Sequence, residues 1–126
     1  MPTVAIISIT APERPLAKIE GFEHLLRLSF ADVDHLNGDL STRGREKLKE
    51  AFTMQQAVAV LKFVETLPPR IRTIVAHCEG GYSRSGAVAY ALHELHGYSA
   101  EPERLKDANP SVINMLRKAA GAHTEN

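Results

Sequence analysis

The chain lacks most features that a secreted, membrane-spanning or nucleic-acid-binding protein needs. It has a single cysteine among 126 residues, so no disulfide can form within it and a reducing compartment is its natural location. No stretch approaches the roughly 20 consecutive apolar residues that span a bilayer. Fifteen basic residues balance 15 acidic ones, which gives no general reason to expect nucleic acid or a membrane as partner. The start of the chain lacks the basic flank of a secretory signal, and we expect a cytoplasmic protein.

The composition that is present is that of a folded domain. Apolar residues make up 44% of the chain and charged residues 24%, as in soluble globular proteins. The length suits one domain, so residues 1–126 are interpreted as a single unit, which we expect to be a monomer.

Three short runs of apolar and β-branched residues predict strands, at residues 3–9, 24–30 and 71–76. The polar residues 35–51 show weak periodicity and are interpreted as a loop or a loose helical excursion.

Helices are predicted between and after these strands. Thr53 and Gln56 have the spacing of a capping box, and the apolar helical face that follows ends at Pro68. A second helix has apolar residues at helical spacing from Val88 and ends at Gly97.

The tail is predicted to hold a short helix near residues 101–107 and a last helix, with Asn109 as its cap and Pro110 in first position. Strands alternating with helices predict an α/β fold, a three-layer α/β/α domain with a small, mostly parallel central sheet.

The segment His-Cys-Glu-Gly-Gly-Tyr-Ser-Arg-Ser lies between a predicted strand and a predicted helix. Open α/β sheets bind ligands at this carboxyl end of their strands. The five residues between Cys78 and Arg84 are enough to curl the backbone so that successive N–H groups face inward. With the N-terminus of the next helix they would form a concave phosphate-binding loop. The residues expected to bind phosphate are Glu79, Gly80, Gly81, Tyr82, Ser83 and Arg84.

The side chains of this loop have distinct expected roles. Arg84 can present its planar fork to two phosphate oxygens. A helix N-terminus and a guanidinium nearby favour the thiolate form of Cys78, the candidate nucleophile. Ser85 can donate a hydrogen bond to the sulfur when it is a leaving group. His77 is interpreted as a residue that orients the loop rather than as a base.

This segment resembles the signature of the protein tyrosine phosphatase superfamily, which is histidine, cysteine, five residues, arginine and serine or threonine, with glycine three after the cysteine. The matching residues are His77, Cys78, Gly81, Arg84 and Ser85. The resemblance implies a compact dual-specificity-like phosphatase that works through a phospho-cysteine, with no metal or cofactor. Its substrate would be a phosphorylated protein or a small phosphomonoester.

The resemblance also implies an aspartic acid on a separate loop, which protonates the leaving oxygen and then activates water. Asp32 lies just past the end of the predicted strand at 24–30 and takes this role first, with Asp34 second and Asp39 third. Asp32 is farther from the cysteine than in typical dual-specificity enzymes, and the excess falls in residues 35–51. A further likeness is Asn114, where relatives carry an asparagine that opens the last helix.

Three other classes of protein remain open, because they use a similar anion-binding loop. A rhodanese-like sulfurtransferase places cysteine in an anion-binding loop but usually lacks the ending of Arg84 and Ser85, and an arsenate reductase would need a second cysteine. A non-catalytic phosphopeptide-binding module is the third alternative.

His93 and His96 are interpreted as solvated residues rather than metal ligands.

Overall fold

The computed structural model describes residues 4–12, 23–32, 50–71, 73–78, 83–98 and 108–124. The strands in these ranges are β1 (Val4–Thr10), β2 (Leu25–Ser29) and β3 (Thr73–His77). The helices are α1 (Met54–Glu65), α2 (Ser83–His96) and α3 (Pro110–Thr124). Within the same ranges no helix is long and apolar enough to span a bilayer.

The three predicted strands are confirmed, with small shifts at their ends. The third begins later than its apolar run because the Ile71 N–H donates to the Pro68 carbonyl over 2.9 Å and closes a turn. The short helix predicted near residues 101–107 lies outside the described residues, as do all but the last two residues of the excursion at 35–51.

The strands form a parallel sheet in the order β2-β1-β3. Ile7 in the central strand pairs with Leu26 on one side and Ala76 on the other. The α/β class is therefore confirmed. Because parallel strands end at the same edge of a sheet, the residues that follow β2 and β3 leave the sheet at one edge, on either side of the central strand.

One hydrophobic core joins the sheet to the three helices. Helix α1 packs against β2, α2 packs against β3, and α3 packs against the other two helices. Alternate residues of β1, among them Ile7 and Ile9, are fully buried in this core. Each helix contributes an apolar stripe at helical spacing, and each buried valine or leucine stabilises the fold by about 1.5–3 kcal/mol. The stripes are Ala57, Val60, Leu61 and Val64 in α1, Ala87, Val88, Ala91 and Leu92 in α2, and Val112, Leu116 and Ala119 in α3.

Helix α1 begins with the predicted capping box. The Gln56 N–H donates to Thr53 Oγ1 over 3.1 Å, and the Thr53 N–H donates to Gln56 Oε1 over 3.0 Å. The Gln56 amide also donates to the Ser29 carbonyl over 2.9 Å. The start of α1 is thereby fixed to the end of β2.

Helix α2 ends where the sequence predicts. Gly97 follows it with φ of 76°, a conformation that glycine adopts without a steric penalty, and its N–H donates to the His93 carbonyl over 3.0 Å. His93 is exposed, and its Nδ1 lies 2.6 Å from the Tyr98 carbonyl oxygen, so this ring takes part in the turn after the helix.

An exposed ion pair joins the outer surfaces of α2 and α3. Arg117 donates to both carboxylate oxygens of Glu94, over 3.0 Å and 2.6 Å. This hydrogen bonding lowers the pKa of Glu94 and raises that of Arg117. Because both side chains are solvated, the pair aligns the helices more than it stabilises them.

Replacing Thr53 by alanine removes the acceptor of the capping box. We expect Thr53→Ala to lower the free energy of unfolding by about 1 kcal/mol, measured by urea denaturation. Thr53→Ser keeps the hydroxyl and is the control, expected to differ little from wild type. Equal stability of the alanine and serine variants would show that the cap does not stabilise α1.

Candidate active site

Cys78 is the residue that directly follows β3, and its sulfur faces the start of α2. The Ser85 N–H donates to Cys78 Sγ over 3.4 Å, and Ser85 Oγ lies 3.2 Å from the same sulfur. Ser85 is the third residue of α2, so its N–H has no acceptor within the helix. The sulfur therefore lies at the positive end of the helix dipole.

Arg84 extends from the same helical turn and is almost fully buried, with 6% of its surface exposed. Its Nη1 donates to the Phe30 carbonyl over 3.0 Å. Phe30 is itself held in place, because its N–H donates to the Thr10 carbonyl over 3.1 Å and its ring packs on Phe52 with centroids 4.7 Å apart. The guanidinium is thus oriented by a fixed backbone carbonyl at the sheet edge.

Asp32 lies two residues beyond this carbonyl, and its side chain also reaches the start of α2. Ser83 Oγ donates to Asp32 Oδ1 over 2.8 Å, and Asn109 Nδ2 donates to the same oxygen over 2.9 Å. The Asp32 side chain remains exposed to solvent. The other two candidate acids, Asp34 and Asp39, lie outside the described residues.

Three consecutive residues of α2 therefore bind three groups, two from the segment that follows β2 and one from the residue that follows β3. Ser83 binds the Asp32 carboxylate, Arg84 binds the Phe30 carbonyl, and Ser85 binds the Cys78 sulfur. A thiol, a guanidinium and a carboxyl group are in this way gathered at one helix N-terminus. This set can bind an anion, attack it with sulfur and transfer a proton.

The residues just before Asp32 contact the residues just before α1. The Ala31 N–H donates to the Glu50 carbonyl over 2.7 Å, and the Phe30 and Phe52 rings are in contact. Residues 50 and 52 thus lie next to the residues just before Asp32, and Asp32 reaches the start of α2 despite its distance from the cysteine in sequence.

The remaining loop residues of the sequence analysis are only partly described. Glu79, Gly80, Gly81 and Tyr82 lie outside the described residues, so their binding of phosphate stays a prediction. His77 ends β3 and pairs in register with Ser8 of the central strand. Because side chains alternate along a strand, His77 points to the sheet face opposite that of Cys78.

Two contributors to the site were not predicted from the sequence, namely Asn109 and the Phe30 carbonyl. Asn109 carried a recognisable signal as a helix cap, and the structure confirms it in that role, since its Oδ1 accepts from the Ser111 N–H over 2.9 Å. The asparagine that opens the last helix is accordingly Asn109, whereas Asn114 lies within α3. The second bond of Asn109, to Asp32, has no local signal.

Comparisons with known proteins found no relative of this chain. No protein-family model matches it, and no match was found among curated proteins or solved structures. The chemistry of the site is therefore argued from its own residues and their geometry.

Replacing Arg84 by lysine tests anion binding at this site. Lysine cannot donate to the Phe30 carbonyl and hold two anion oxygens in one plane, so we expect Arg84→Lys to weaken binding of tungstate or phosphate roughly 10- to 100-fold, the loss of one or more charge-assisted hydrogen bonds. The measurement is the anion concentration that halves the rate of iodoacetamide alkylation of Cys78, the only thiol present.

Arg70→Lys is the matched control for that experiment. Arg70 is an exposed arginine whose Nη2 donates to Glu23 over 2.9 Å, in a surface pair that includes none of the site residues. Unchanged protection of Cys78 in Arg84→Lys would contradict an anion site built on Arg84.

Proposed function

We propose that the protein is a cysteine-dependent phosphomonoester hydrolase of the protein tyrosine or dual-specificity type. The observation that supports it most is the meeting of Cys78, Arg84 and Asp32 at the first turn of α2. In this proposal the residues from Glu79 to Ser83 form the phosphate-binding loop, and the domain has the three-layer arrangement that the sequence favours.

In the first step the Cys78 thiolate attacks the phosphorus in line with the leaving oxygen. The P–S bond forms as the P–O bond breaks, and protonated Asp32 gives its proton to the departing oxygen. Arg84 and the N–H groups at the start of α2 stabilise the charge on the equatorial oxygens. The leaving group departs as a neutral alcohol or phenol.

In the second step the phospho-cysteine is hydrolysed. The Asp32 carboxylate takes a proton from water as the water oxygen attacks phosphorus, and the P–S bond breaks to release inorganic phosphate and thiolate. Ser85 stabilises this thiolate by donating from its hydroxyl, which lies 3.2 Å from Sγ. Both steps balance without a metal or an external oxidant.

The loop favours a phosphoprotein substrate over a polyanionic one. It contains no lysine, and Glu79 adds negative charge next to the nucleophile. A loop with this charge suits a single phosphate on tyrosine, or mixed phosphoprotein substrates, better than a phosphoinositide headgroup. A thiolate nucleophile also needs a reducing environment, which fits a cytoplasmic location.

The mechanism requires the sulfur and the proton of Asp32. We expect Cys78→Ser to abolish hydrolysis of a phosphotyrosine peptide in the presence of EDTA, and Asp32→Asn to lower kcat roughly 10²- to 10⁴-fold, the usual contribution of a general acid. Asparagine keeps an oxygen that accepts from Ser83 and Asn109 but carries no transferable proton, so it tests the acid without removing those contacts.

These variants separate the competing functions. Wild-type protein that binds tungstate but hydrolyses nothing would favour a phosphopeptide-binding module. Transfer of sulfur from thiosulfate to cyanide by wild type would favour a sulfurtransferase. Persistent phosphatase activity in Cys78→Ser would exclude the thiol mechanism.

Ser85 is expected to act in the second step more than in the first. Ser85→Ala should slow hydrolysis of the phospho-cysteine roughly 10- to 100-fold, because one hydrogen bond to a developing thiolate is lost. Rapid-quench kinetics should then show a burst of phenol followed by slow turnover. An unchanged turnover rate in Ser85→Ala would contradict this role, and Ser85→Thr, which keeps a hydroxyl, is the conservative comparison.

A further inference from the structure

Asn109 connects three parts of the structure while being almost fully buried, with 4% of its surface exposed. Its backbone N–H donates to the Ser83 carbonyl over 2.9 Å. Its side-chain Oδ1 accepts from the first turn of α3, and its Nδ2 donates to Asp32 Oδ1. One residue therefore fixes the start of α3, the start of α2 and the candidate acid.

The orientation of the Asn109 amide follows from its partners. The backbone N–H groups of Ser111 and Val112 can only donate, so the atom that they contact must be the amide oxygen. The other end of the amide is then the NH₂ group, which can only donate. It is this group that contacts Asp32.

Asp32 consequently uses its two carboxyl oxygens for different purposes. Oδ1 accepts from Asn109 Nδ2 and from Ser83 Oγ, whereas Oδ2 takes no hydrogen bond from the described residues. A proton on Oδ1 would compete with the NH₂ donor, so the proton of the neutral acid belongs on Oδ2. The Asp32 side chain is exposed, which leaves Oδ2 accessible to a substrate.

We infer that Asn109, together with Ser83, is a positioning residue that directs the transferable proton of Asp32 to Oδ2 and toward the leaving group. This inference rests on the proposed function, in which Asp32 is the general acid. As the proton leaves Oδ2, negative charge develops on the carboxylate and both donors bind it more strongly. Their contribution therefore increases in the transition state, which is the condition for accelerating the step.

The alternative is a purely structural role, in which Asn109 only caps α3. Asn109→Ser distinguishes the two, because serine is an equally good cap residue but lacks the NH₂ donor. Ser83→Ala removes the second donor and leaves the Asn109 side chain that caps α3 in place, so its effect is independent of that cap. Asn114→Ser, the same substitution within α3, is the matched control.

The decisive measurement compares two substrates whose leaving groups differ in their need for a proton. The leaving group of a phosphotyrosine peptide is the tyrosine phenol, which is weakly acidic and needs a proton from the general acid. The leaving group of 2,4-dinitrophenyl phosphate is dinitrophenolate, which is stable without a proton. We expect Asn109→Ser and Ser83→Ala each to lower kcat roughly 10-fold on the peptide, a fraction of the full effect of a general acid, and Asn109→Ser to lower kcat much less on the dinitrophenyl ester. In the Asp32→Asn background neither should lower kcat further.

Each outcome bears on a different claim. Equal losses of Asn109→Ser on both substrates, or wild-type rates on both, would overturn the positioning role while leaving the proposed function intact. Additive losses with Asp32→Asn would overturn it as well. Phosphatase activity that survives Cys78→Ser, or wild-type protein inactive on both esters, would overturn the proposed function and this inference together.

Discussion

The first turn of α2 fixes the relative positions of the candidate site residues. A helix N-terminus presents N–H groups with no partner inside the helix, and they attract negative charge. Here the Ser85 N–H points at a sulfur, and the two preceding side chains bind an acid and a strand-end carbonyl. Because these residues are consecutive, the sulfur, the guanidinium and the carboxylate cannot shift independently. The rigid helix thus sets their mutual positions, although the carboxylate comes from a segment far from the other two in sequence.

The segment after β2 shows how an irregular stretch is held for this purpose. The paired register of β2 ends at Ser29, and each of the next three residues makes a hydrogen bond to another part of the chain. Phe30 contacts β1 through its N–H and α2 through its carbonyl, Ala31 binds Glu50, and Asp32 binds α2 and the cap of α3. Contacts of this kind give an exposed carboxylate a defined orientation, which proton transfer requires. The sheet contributes by ending its parallel strands at one edge, so that these residues emerge beside Cys78.

Much of the fold could be predicted from the sequence because its signals are local. The spacing of Thr53 and Gln56, the position of Gly97 and the pair Asn109–Pro110 each define a helix end within a few residues. Within the candidate site, the sequence placed Cys78, Arg84 and Ser85 together because they are close along the chain. The site's remaining contacts join residues 54 and 77 positions apart, between Arg84 and Phe30 and between Asn109 and Asp32. No periodicity or propensity encodes such pairs, since they arise only after the sheet and helices have packed.

The choice of asparagine at position 109 follows from the two tasks combined there. Serine, threonine, aspartate and asparagine all cap helices by offering an oxygen to the first-turn N–H groups. Aspartate would place a second carboxylate against Asp32, and the hydroxyl residues end too soon to cap α3 and also reach that carboxylate. The asparagine amide has an acceptor and a donor on opposite corners of one rigid plane, so a single side chain can cap α3 and donate to Asp32 at once. The contact that fixes the start of α3 and the contact that orients the candidate acid are therefore made by one side chain, and neither can form without placing the other.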